Sequence, residues 1–105
     1  MSEEKVDKEE EKVDKEKEQA KRVLTCEETV AFAFSILAEK AWVSLGMIKD
    51  TDGEFHKSKE GAKFLIDTLS NMSETFESHF EKEVLKDMKN QIATLKLNFV
   101  NQFKN

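Results

Sequence analysis

Residues Thr29 to Ile48 read TVAFAFSILAEKAWVSLGMI, the most apolar stretch of a chain in which 37% of residues are charged. Placed on a helix, Val30, Phe34, Leu37, Ala41, Leu45 and Ile48 follow steps of three or four and form one stripe, as a core-facing helix requires. Phe32, Ile36, Val43 and Met47 fall on a second face with Trp42 at its flank, and Glu39 and Lys40 leave a narrow polar edge. A helix apolar around most of its circumference is normally buried on more than one side. A chain of 105 residues has little material with which to cover both.

The stretch approaches membrane-spanning length, but Glu39 and Lys40 sit at its middle. Each charge would cost roughly 2.5–3.5 kcal/mol at a bilayer centre, so no membrane span is expected. The N-terminus is charged for more than twenty residues before any apolar run appears, which is the wrong order for an export signal. The expectation is a soluble cytoplasmic protein. Cys26 is the one cysteine and cannot form an internal disulfide, so it reads as a reduced, inert thiol.

The net charge of −5 is spread over both signs with no basic cluster, which argues against nucleic acid as a partner. The absence of proline, the three glycines and the abundance of Lys, Glu and Leu favour helix over sheet. The expected fold is all-α, with a charged tail over residues 1–24 and a helical domain over residues 25–105.

The tail carries a seven-residue repeat, with Glu4 to Glu10 echoed by Glu11 to Lys17. Each copy has a single apolar position, Val6, Val13 and then Ala20, where a coiled-coil seam needs two. Pairs such as Glu4–Lys8 and Glu11–Lys15 support a helix by only a few tenths of a kcal/mol each. The tail therefore reads as a disordered or fraying, solubilising extension.

Thr25 with Glu28 forms a capping-box pattern ahead of the apolar helix, and Gly46 suits its end, giving a first helix over about 26–47. Lys49 to Lys57 make a loop with a turn at Asp52-Gly53. Asp50, Asp52 and Glu54 do not make a calcium loop, because Gly53 and Gly61 stand at the wrong positions for that motif. Ser58 caps a second helix, over about 58–76, with Ala62, Leu65, Ile66, Leu69, Met72 and Phe76 at helical spacing. Phe64 lies off that stripe and reads as a contact with something further out. Ser78 with Glu81 forms another capping-box pattern, starting a third helix over about 79–103. Leu85, Met88, Ile92, Leu95 and Phe99 supply its seam, and Ala93, Leu97 and Val100 a second apolar face.

From Ala31 to Phe103 the chain resembles a bacterial family catalogued as domain of unknown function 1844. The resemblance is carried by Phe34 to Ala38 leading into Ser44-Leu45-Gly46, by Gly53-Glu54, by Ala62 to Leu69, and by Leu95 to Val100. Two departures fall in loops: no proline follows the first helix, and Thr75 to Ser78 replace a glycine-containing turn. The resemblance implies a small all-helical protein with a charged N-terminal extension, and no activity.

The titratable residues form no catalytic constellation. His56 and His79 are more than twenty residues apart, and neither has a second His or Cys at metal-ligand spacing. Ser35 and Ser44 lie in a helix without a nearby His. No catalytic residue, metal or cofactor is expected. Asp67, inside the most specific block of the resemblance, reads either as a solvated carboxylate or as a structural contact to Ser44 or Trp42 Nε1.

These readings combine into a three-helix antiparallel bundle whose first and third helices hold more apolar surface than the chain can cover. The expected function is a non-catalytic protein-interaction or scaffold module acting as a homodimer, with another protein as a further partner. Its expected interaction surface is Phe32, Ile36, Trp42, Val43, Leu97 and Val100. The alternative is a regulatory module that binds a hydrophobic ligand or a membrane surface.

Overall fold

The structure, a computed structural model, describes residues 23–104. The charged repeats of the N-terminal tail lie outside that range. Within it the chain forms three helices: α1 (Cys26–Ser44), α2 (Lys59–Ser73) and α3 (Lys82–Gln102).

Local chemistry sets most of their ends. The hydroxyl of Thr25 accepts from the Glu28 amide at 3.0 Å, and the Glu28 carboxylate accepts from the Thr25 amide at 3.1 Å. This reciprocal box satisfies two amides that the first turn of α1 would otherwise leave without partners. At the other end the Gly46 amide donates to Val43 and the Met47 amide to Trp42, the two bonds of a Schellman motif. Gly46 takes φ +78°, the left-handed conformation that this motif requires and glycine adopts without a Cβ clash. In α2 the Ser58 hydroxyl accepts from the Gly61 amide at 3.0 Å.

The second capping-box pattern does not form. The N-cap of α3 is Glu81, without a side-chain cap bond, so the helix starts three residues later than the sequence suggests. Residues 76–80 are instead held by amides of His79 and Phe80 donating to the carbonyl of Phe76. That turn brings the rings of Phe76 and Phe80 edge to face, with centroids 5.1 Å apart. Burying Phe76 and part of Phe80 there favours the turn over another turn of helix.

Neighbouring helices run antiparallel. Phe34 of α1 meets Phe76, beyond the end of α2, with ring centroids 6.0 Å apart, while Ser58 at the start of α2 donates its amide to Ser44 at the end of α1. Likewise Lys57, just before α2, places its ammonium 5.2 Å from the Phe103 ring, just past α3. The helix α2 packs on both others, whereas α1 and α3 meet only marginally.

The core follows most of the expected stripes, except that Ala38, on neither expected face of α1, is buried while Val30 and Leu37 are only partly so. Phe34, Ala38, Ala41 and Leu45 of α1 and its C-cap are buried against Ala62, Ile66 and Leu69 of α2 and Met88, Ile92 and Leu95 of α3. Alanines at 38, 41 and 62 keep the α1–α2 interface thin. Ile48, placed on the inward stripe by periodicity, is exposed because the helix has ended before it.

Candidate interaction surface

On α1 the residues opposite the core are Phe32 and Ile36, which are 65% and 52% exposed. They lie one turn apart on the same side, so they form one small apolar patch. Trp42 is half-buried and packs against the core, so it contributes little to that patch.

Val43 is the correction to the expected surface: it is only 4% exposed. The loop after α1 turns back beside it. The Asp50 carboxylate accepts from Lys40 Nζ at 2.6 Å, which fastens residues 49–51 alongside the helix. Ile36, Glu39, Lys40 and Val43 line an open depression of about 320 Å³ together with Lys49, Asp50 and Thr51.

On α3, Leu97 and Val100 are 62% and 59% exposed, on the side away from Leu95. They make a second patch separate from that on α1, since those two helices barely meet. Val100 borders a groove with Lys63, Ile66, Asp67, Lys96 and Phe99. Phe64 projects from α2 alone.

Asp67 makes no contact with α1. Its carboxylate accepts from Lys63 Nζ at 2.7 Å one turn away, and it stays exposed, the solvated alternative of the sequence reading. Ser44, the other member of the suggested contact, is buried where α1 ends against the start of α2, beside Gly61.

The loop acids are directed at cations or amides rather than toward one another. Asp50 is held below the usual carboxylate range chiefly by the Lys40 hydrogen bond and then by the Thr51 amide. Asp52 is lowered first by the Glu54 amide and then by His56, whose Nε2 lies 2.6 Å from its carboxylate. Among the described residues no group of three or more His, Cys, Asp or Glu is arranged to hold a metal ion.

Two features escaped the sequence reading. Lys82, Lys86 and Lys89 line one shallow groove of α3 with Leu85 and Asn90. Their spacing of four and three was visible, but Glu83 and Asp87 between them hid the row in a linear count of charges. The second is a cleft of about 210 Å³ at the start of α1, where Val30, Phe76 and Phe80 meet Cys26, Glu27, Thr75 and His79. His79 Nδ1 lies 3.4 Å from the Glu27 carboxylate across its rim. Cys26 is free and exposed there.

The model of the family described as Domain of unknown function (DUF1844) matches residues 27–101. The chain belongs to this family. The matched range takes in all but the first residue of α1, the whole of α2 and nearly all of α3, so the family's common part is the helical unit described above. No curated protein and no solved structure matches the chain. Among the described residues no helix is long and apolar enough to cross a membrane.

Proposed function

We propose that this DUF1844 protein is a non-catalytic, cytoplasmic interaction module that acts as a homodimer through the outward face of α1. The observation that carries this reading is the pair Phe32 and Ile36, two large apolar side chains exposed together opposite the core. Exposing such a pair to water is unfavourable, and a second copy offers an identical surface to cover it. The ion pairs of the helical unit link exposed side chains to neighbouring groups, a pattern of surface ordering rather than of acid–base chemistry.

Light scattering across micromolar concentrations tests the proposal, with twice the chain mass of 12.1 kDa expected. Ile36→Glu places a charge in the interface and should yield a folded monomer, because Ile36 lies outside the core. A wild-type monomer that unfolds cooperatively would sink the reading.

The apolar cleft of Val30, Phe76 and Phe80 favours a second reading, a regulatory module for a small hydrophobic ligand or a membrane surface. Co-sedimentation with anionic vesicles and fluorescence of a polarity-sensitive dye separate the two forms of it. Neither pelleting nor dye binding would leave the dimer reading alone.

A further inference from the structure

Lys82, Lys86 and Lys89 stand at steps of four and three on α3 and line one groove with Leu85 and Asn90. No acidic side chain belongs to that lining, because Glu83 and Asp87 fall on other sides of the helix. Lys89 donates to Glu77 at 2.9 Å, but Lys82 and Lys86 have no ion-pair partner among the described residues. Two uncompensated ammonium groups beside the half-buried Leu85 fit an acidic occupant that also carries an apolar side chain.

We propose that the acidic end of the chain's own N-terminal tail, residues 1–11, docks on this groove. These residues lie outside the described range, and they are the acidic half of the tail. They hold Glu3, Glu4, Asp7, Glu9, Glu10 and Glu11 against Lys5 and Lys8, whereas residues 12–22 carry five Lys and Arg against three acids. On a helix, Glu3, Val6, Asp7 and Glu10 would share one face, at the spacing of Lys82, Leu85, Lys86 and Lys89. Lys5 and Lys8 would then fall behind that face, away from the lysines of α3.

The tail also starts close to the groove. The described chain begins at Val23, an exposed residue just before α1. Cys26 and Glu27 in the first turn of α1 share a cleft with His79 and Phe80, and Lys82 follows two residues later. The tail therefore leaves the helical unit near the N-terminal end of α3. Residues 12–22 span up to about 36 Å when extended, while the row from Lys82 to Lys89 occupies about 11 Å of helix. Exposed ion pairs contribute little one at a time. A tether this short holds the acidic segment at an effective concentration on the order of millimolar, so a few weak pairs suffice to dock it.

Full-length protein carrying Cys26→Ser and Ser2→Cys, with a nitroxide on position 2, tests the contact by NMR. At low salt the amide signals of residues 82–90 should lose at least half their intensity, while those of residues 36–43 on the outer side of α1 keep theirs. Lys82→Glu with Lys86→Glu, both exposed, should restore the α3 signals about two-fold, as should about 0.5 M salt. Glu3→Lys, Asp7→Lys and Glu10→Lys should restore them equally, and these three changes leave the helical unit untouched. No signal loss in α3, or a loss that persists in the tail variant, overturns the proposal. Isotope-labelled protein without the nitroxide, mixed with unlabelled protein that carries it, reports contacts between chains alone. Loss in α3 in that mixture puts the tail on a second copy and overturns docking within one chain.

Discussion

At Gly46 the backbone holds φ +78° while its amide donates to Val43 and the next amide to Trp42. A Cβ there meets the left-handed penalty and would also stand 3.1 Å from the Lys57 side chain. Gly46→Ala should therefore destabilise by about 1–2 kcal/mol, read as a lower urea midpoint with unchanged slope. Ser70 carries the opposite expectation. Its hydroxyl oxygen is buried and has no hydrogen-bond partner, so its desolvation is uncompensated. Ser70→Ala should raise stability by about 1 kcal/mol, and an unchanged or lower midpoint would show that the hydroxyl finds a partner in solution. Gly46 was legible as a terminator because the left-handed cap is a local demand. Ser70 was not, because its burial depends on how the helices pack.

Between elements, two junctions fold in different ways. The turn from α2 to α3 looked like a capping box at Ser78 and Glu81, but Phe76 and Phe80 decide it by packing inward. The loop after α1 is fastened by Lys40–Asp50, and the α2–α3 turn by Lys89 Nζ donating to Glu77 at 2.9 Å. Asp50, Asp52 and Glu77 are each held below the usual carboxylate range by such donors, Lys89 being the first cause for Glu77. A carboxyl whose folded value is depressed contributes stability above its unfolded value and loses it as pH falls through the folded one. Urea midpoints should thus be flat near neutrality and fall below about pH 4. Asp50→Asn should lower the neutral midpoint and flatten that acid limb. Asp52 and Glu77 are exposed and Asp50 is half-buried beside the exposed Lys40, so the effect is small and weakens with salt.

Across the whole molecule, α2 is the element on which the other two depend. Leu69 is fully buried on it, in a core shared by all three helices. Leu69→Ala should lose about 2–5 kcal/mol, a large fraction of what a domain of this size holds. Phe64→Ser, on the same helix but facing water, should stay within about 0.5 kcal/mol of the wild type by thermal melting. Together they test whether α2 is buried on the side seen here.

Helical class, the three elements and the inward stripes were decided by the sequence alone. Capping at Thr25 and Ser58 and periodicity in steps of three and four depend only on residues within a turn or two of one another. Which residues of the second faces stay exposed was decided by tertiary structure. Among the described residues no segment covers Phe32 and Ile36, whereas Val43, on the same face, is buried where Lys40 draws the Asp50 loop back beside α1. Trp42 turns into the core for the same kind of reason, and Leu97 and Val100 stay out because α1 and α3 barely meet. Exposure depends on the distant segments that come to cover a residue, and those are placed only once the helices pack.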